Sequence, residues 1–301
     1  MLVPDRRTRT VSVVSRARAV ALVLAASLLV AGCDDASGKD SPPHAKSYVA
    51  LGDSYTSAPG VPTIIQEGCF RSDHNYPHLV AQELGLELDD VSCGGAATTA
   101  LVGVQETSDG PVPAQFDALT KDTDVVTLGI GGNDEGLFGE LLASCITLGQ
   151  EGSTGSPCRD LMTQGGGDRV KETIALIQGR LTSSLEGIKK RAPHAKVVFV
   201  GYPQLAPQRG RCDTLPLSPG DYDYMHEVMI TLGNATEQAA KDAGVLYVDL
   251  LHASAGHDVC AGPDAWISGI TPDPDRPGVS MHPYAEEQVA VADLVVAALD
   301  D

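Results

Sequence analysis

Five short apolar runs, separated by longer stretches patterned as helices, restrict this chain more than any other feature. They are Tyr48–Leu51, Leu86–Val91, Val125–Ile130, Val197–Gly201 and Leu246–Leu250. Brief apolar runs bounded by turn residues suit strands buried on both faces, and such strands are parallel. Between them, helix patterns occupy Tyr76–Gly85, Glu135–Ala143, Asp168–Arg191, Pro219–Ala243 and Pro283–Leu299. Ser218 before Pro219 reads as a cap followed by a first-turn proline, and Gly244 as the glycine that ends the same helix. The alternation predicts an α/β domain with a mainly parallel central sheet covered on both faces. In such sheets ligands collect beyond the carboxyl ends of the strands. Ser54, Gly95 and Asn133 each follow a predicted strand on that side.

The first 32 residues have a different character. Arg6, Arg7, Arg9, Arg16 and Arg18 precede an apolar run from Ala19 to Ala31, which is shorter than the ~20 residues a membrane-spanning helix requires. That pattern predicts a signal peptide over 1–32. Val30-Ala31-Gly32-Cys33 resembles a bacterial lipobox, which implies a lipidated Cys33 as the mature N-terminus; ordinary secretion is the alternative. Residues 33–46 are small, polar and Pro-containing, and read as the lipidated cysteine and a flexible tether. The expected location is therefore extracytoplasmic, anchored to the outer face of a bacterial cell membrane or secreted.

Seven cysteines are present. Setting Cys33 aside leaves an even set, Cys69, Cys93, Cys145, Cys158, Cys212 and Cys260, in a chain bound for an oxidising compartment. Three disulfides are expected. Sequence does not choose among the connectivities, and sequential pairing is the working expectation. No Cys-x-x-Cys pair occurs, so no structural zinc site is expected. The leader carries a net +4, so its removal takes the whole-chain charge of −19 to −23. Such acidity argues against nucleic acid and against electrostatic binding to anionic lipid.

About 255 residues follow the tether, enough for one α/β domain, and within them four short blocks carry chemistry. Gly52-Asp53-Ser54-Tyr55 ends the first apolar run. Cys93-Gly94-Gly95-Ala96 follows the second and Gly131-Gly132-Asn133-Asp134 the third, while Ser280-Met281-His282-Pro283 lies near the C-terminus. Taken singly, each suits a turn, a helix cap or a surface histidine. In this order they resemble the SGNH (GDSL) hydrolase family, across residues 48–290. Cys69-Phe70-Arg71 through Tyr76-Pro77, together with Gly201-Tyr202-Pro203, resembles its actinomycete secreted esterase/lipase branch. The resemblance implies a three-layer, flavodoxin-like domain over 47–301. It also implies Ser54 as nucleophile, His282 as general base, and Gly95 and Asn133 as donors to an oxyanion. No cofactor is implied, and a monomer is expected.

One position departs from the family pattern, which has an aspartate three residues before the histidine; here that residue is Val279. A valine side chain cannot orient an imidazole, so the Val279 carbonyl is expected to hold Nδ1, with Asp273 or Asp275 folding back as the alternative. Loops 60–75, 145–167 and 205–220 are expected to shape the acyl pocket, with Trp266 either lining it or packing its own loop. Arg71 and Asn75 read as substrate contacts or as scaffold. Asp53 reads as a turn stabiliser, and His252, His257 and Asp258 as loop residues. The expected activity is hydrolysis of carboxylic esters through an acyl-enzyme. Polysaccharide deacetylation, or acyl or glycan binding without catalysis, are the alternatives.

Overall fold

The computed structural model describes residues 45–300. The leader, Cys33 and the tether as far as residue 44 lie outside the described residues. All five apolar runs form strands, with ends that differ from the expected ones by a residue or two. They are β1 (Ser47–Gly52), β2 (Glu87–Asp90), β3 (Val125–Gly129), β4 (Lys196–Val200) and β5 (Leu246–Val248). Every pairing is parallel, in the order β2-β1-β3-β4-β5. This is the flavodoxin-like order, whose crevice opens where β1 and β3 send their connections in opposite directions.

The period-two alternation of strand side chains divides the interior into two cores. Val49, Leu51, Val126, Leu128, Val197 and Phe199 enter one, and Tyr48, Ala50, Val125, Val198 and Val200 enter the other. The principal helices are α1 (Tyr76–Leu84), α2 (Leu137–Gln150), α3 (Arg169–Arg191), α4 (Asp221–Ala243) and α5 (Ala285–Asp300). Helices α2, α3 and α4 cover the first core; α1 and α5 cover the second. Helix α3 buries Ile174, Ile177, Leu181, Leu185 and Ile188 along one stripe. Each of these side chains contributes about 1.5–3 kcal/mol of hydrophobic burial.

Three helix starts differ from the sequence reading. Helix α2 begins at Leu137, because Glu135 and Gly136 both have left-handed φ, 52° and 68°. Helix α4 begins at Asp221: Gly220 takes the cap position, and the Asp221 N–H donates to the Ser218 carbonyl at 2.9 Å. The Asp221 carboxylate accepts the N–H groups of Cys158 and Arg159, each at 3.0 Å, and so joins α4 to the adjacent turn. Pro283 does not open α5; it pairs with Ile267 in an isolated bridge, and the helix starts at Ala285. The disulfides are sequential: Cys69–Cys93, Cys145–Cys158 and Cys212–Cys260. The first fixes the segment after β2 against the hairpin Ile64–Gln66/Arg71–Ser72. Among the described residues, no helix is long and apolar enough to cross a membrane.

Helix α5 carries an ionisable group into the core. Glu287 is 1% exposed, and its carboxyl accepts a hydrogen bond from the Gln288 side chain. Burial pushes its pKa from 4.5 up to about 8. Between these two values the folded protein holds a proton that the unfolded chain has released, so stability falls as pH rises through that window. Glu287→Gln should flatten this fall. Thermal midpoints at pH 5 and pH 8 test it, and an unchanged pH dependence in the variant would refute the assignment.

Candidate active site

Strand β1 ends in a turn that only glycine permits. Gly52 has φ 158°, and a Cβ there would sit 2.2 Å from Thr56 Oγ1 and 2.7 Å from the Gly129 carbonyl. Its peptide is held on both sides by Gln115, which accepts the Gly52 N–H at 2.8 Å and donates to the Gly52 carbonyl at 2.9 Å. Asp53 then caps the single helical turn Ser54–Ser57, its Oδ1 accepting the Tyr55 N–H at 2.9 Å. Asp53 is therefore the turn stabiliser that the sequence suggested. Burial raises its carboxyl to about 7, opposed by the hydrogen bonds it accepts from Tyr202 and Tyr55. Ser54 occupies the first position of that turn, half-buried, at the carboxyl edge of the sheet.

His282 arrives from the other end of the chain, with Nε2 2.8 Å from Ser54 Oγ. Its Nδ1 lies 2.8 Å from the Ser280 carbonyl. An N–H at Nδ1 donates to that carbonyl and leaves the Nε2 lone pair facing the serine hydroxyl. This corrects the expectation for Val279. The Val279 carbonyl already accepts the Ser268 hydroxyl and the His282 backbone N–H, the latter at 3.2 Å. Met281 adopts φ 60°, a left-handed conformation that reverses the chain and brings the Ser280 carbonyl under the ring. Tyr55 braces that turn by donating its hydroxyl to the Met281 carbonyl at 2.9 Å. Asp273 and Asp275 are engaged locally, Asp273 Oδ1 accepting the Asp275 N–H at 3.0 Å, and neither bonds to His282 among the described residues. Burial lowers the His282 pKa below 6.5, and the bond to Ser280 opposes this in part. The ring is thus neutral, and able to accept a proton, near pH 7.

Two loops complete the arrangement. Gly95 has φ 73°. The N–H groups of Gly95 and Ser54 donate to no backbone acceptor among the described residues. Asn133 donates one Nδ2 proton to the Ala96 carbonyl at 3.0 Å, which leaves its second proton available. Asp134 locks the two loops together: it accepts the Thr98 N–H at 2.9 Å and the Thr98 hydroxyl, with Arg180 at 3.3 Å. The cavity beside Ser54 and His282 has a volume of about 180 Å³, with Asn133, Tyr55, Phe138, Gly139, Leu142 and Met281 in its wall.

The loops expected to shape this cavity do not line it; the first turns of α2 and the Met281 turn do. Trp266 stacks on His257 with ring centroids 4.4 Å apart, and thus packs its own loop. Arg71 donates to the Ser92 carbonyl, and buried Asn75 donates to Thr56 and Asp90, so both are scaffold. His252 pairs with Asp249. Sequence reasoning missed Gln115, Thr98 and Ser280. A backbone carbonyl or a distant glutamine carries no local pattern, and only the fold brings them to the site.

Residues 50–286 match the model of the GDSL-like lipase/acylhydrolase family. The chain belongs to that family. Lipase 2 of Streptomyces coelicolor is 38% identical over 260 residues, covering 83% of this chain and 86% of the relative. An esterase of Streptomyces scabiei is 31% identical over 304 residues, covering 89% and 88%. Among solved structures, phospholipase A1 from Streptomyces albidoflavus superposes with a TM-score of 0.69 at 28% identity, covering 85% of this chain and 99% of that one. This GDSL-family protein is a carboxylic ester hydrolase with the expected α/β fold.

The contacts of Asn133 lead to a direct expectation. Asn133→Ala should lower kcat by about 10²–10³ while KM stays within a fewfold, as for loss of a donor that acts on a developing oxyanion. Steady-state kinetics on a p-nitrophenyl ester measure this, and a change confined to KM would exclude the role.

Proposed function

We propose that the protein is an extracytoplasmic serine esterase or lipase with Ser54 as nucleophile and His282 as general base. One observation carries the reading: Nε2 of His282 lies 2.8 Å from Ser54 Oγ at the mouth of a cavity whose wall includes Asn133. In this account His282 takes the Ser54 proton as Oγ attacks the ester carbonyl. The negative oxygen of the tetrahedral intermediate is received by the N–H groups of Ser54 and Gly95 and by Asn133 Nδ2. His282 then protonates the leaving alcohol, and the acyl-enzyme is released by water that His282 deprotonates. The Ser280 carbonyl keeps the imidazole in the tautomer and orientation this requires.

Three disulfides, two of them buried, support an oxidising location. Together with the leader reading, they favour export under the 1–32 signal peptide, with Cys33 as lipid anchor and 33–46 as tether to the hydrolase domain at 47–301. The expected substrate is a lipid or small acyl ester, cleaved by a monomer without a cofactor.

The cavity also sets an expectation for chain length. Its wall of Tyr55, Phe138, Leu142 and Met281 suits an apolar acyl chain, and its volume of about 180 Å³ limits how much of one it encloses. A Cβ at Gly139 would meet nothing within 4 Å, so a side chain added there projects into open space at the cavity wall. Hydrolysis of p-nitrophenyl esters from acetate to palmitate should vanish in Ser54→Ala. In Gly139→Leu the preference should move to shorter chains, by about fourfold for each methylene displaced. Full activity in Ser54→Ala would overturn the nucleophile, and an unchanged chain-length profile in Gly139→Leu would overturn the acyl site.

A further inference from the structure

Tyr202 stands just past the end of β4, and its hydroxyl is a junction between two loops that chain order keeps far apart. It donates to Asp53 Oδ2 and accepts the Gly132 N–H at 2.7 Å. Asp53 immediately precedes Ser54, and its other oxygen accepts the Tyr55 N–H on the far side of that serine. Gly132 immediately precedes Asn133. A single phenol thus connects the turn after β1 to the turn after β3, across the crevice where the two connections diverge.

The ring has little freedom to leave this position. It is 3% exposed, and it meets Tyr55 edge-on at 5.3 Å and Phe138 edge-on at 5.0 Å, both of which line the cavity. A Cβ at residue 132 would fall 2.4 Å from the Phe138 ring and 3.1 Å from the Tyr202 hydroxyl. That position is therefore kept as glycine, which lets the backbone N–H reach the phenol. The hydroxyl spends its one proton on Asp53 and uses a lone pair for Gly132, so both bonds form at once.

We infer that Tyr202 is a positioning residue, which holds the Ser54 turn and the Asn133 loop in one register by bridging the Asp53 carboxylate to the Gly132 N–H. It touches no reacting atom; it fixes the separation between the attacking oxygen and the donor awaiting the oxyanion. This rests on the catalytic reading of Ser54 and Asn133. Without the hydroxyl, two buried polar groups lose a partner, and the two loops are free to drift apart. Displacements well under 1 Å matter at such a site.

The test is a double-mutant cycle on a p-nitrophenyl ester, with Ser54→Ala as control and melting curves for every variant. Tyr202→Phe should reduce kcat on the order of 10- to 100-fold with KM within about twofold, in a protein that still melts cooperatively. In an Asn133→Ala background, the same change should cost less than about threefold more, because the loop it positions has already lost its donor. A Tyr202→Phe enzyme with wild-type kcat, or a loss that multiplies in full with that of Asn133→Ala, overturns the inference. If Tyr202→Phe fails to fold, Asp53→Asn, whose amide has one oxygen for the two donors that Asp53 accepts, probes the same bridge alone and in the Asn133→Ala background. A loss that shrinks below about threefold in that background supports the bridge, and one that multiplies in full overturns it. An active Ser54→Ala removes the catalytic reading itself and the inference with it. A dead Ser54→Ala beside a normal Tyr202→Phe removes the bridge alone.

Discussion

The parallel pairing of β1 with β3, in register from Tyr48 opposite Val125 to Gly52 opposite Gly129, is the constraint on which the rest of the site depends. The ladder continues one step beyond the strands, where the Asp53 N–H donates to the Gly129 carbonyl at 2.9 Å. Both strands stop at the same level, and their connections diverge. Ser54 and Asn133 emerge on either side of the gap. The Gln115 clamp on Gly52, the Thr98–Asp134 lock and the Tyr202 junction all act on loops that this pairing has already brought together. A slip in that register would separate the serine from the asparagine before any of them could act.

Strand pairing does not extend to His282, which reaches the site by different means. The Met281 turn has a left-handed residue other than glycine, a conformation that costs energy. It is held by Tyr55 on its carbonyl and by the Gly269 carbonyl on its N–H at 3.2 Å. In return, the turn presents the Ser280 backbone carbonyl, rather than a carboxylate, to His282 Nδ1. A neutral acceptor fixes the tautomer as well as a carboxylate does, but stabilises the imidazolium less. Burial already favours the neutral ring. In the proposed mechanism, catalysis therefore relies on orientation and on the oxyanion donors more than on a buried negative charge beside the histidine.

The sheet was legible in the sequence because a strand buried on both faces leaves a continuous apolar run, as Val125–Gly129 shows. The chemical blocks were legible because Ser54, Gly95 and Asn133 each follow one of those runs, while His282 was reached through the family resemblance. Helix starts were less so. Pro219 and Pro283 both look like first-turn prolines, yet Gly220 caps one helix and a bridge to Ile267 holds the other proline outside. The Nδ1 partner was misplaced by one residue, because the choice between the Val279 and Ser280 carbonyls depends on the φ of Met281, which no side-chain pattern encodes. The acyl wall was misplaced for a related reason: Phe138, Gly139 and Leu142 sit on a helix whose start is delayed by the left-handed Glu135.

The central claim is that Ser54 is made nucleophilic by His282 oriented through a backbone carbonyl. Covalent capture by a p-nitrophenyl alkylphosphonate, read by mass spectrometry of intact protein and of its peptides, tests this most directly. The account predicts one adduct per chain, on the peptide containing Ser54, forming rapidly in the wild type and very slowly in His282→Ala. Its rate should be unaffected by Asp273→Asn or Asp275→Asn. An adduct on another residue, undiminished labelling in His282→Ala, or a collapse of labelling on loss of either aspartate would contradict it.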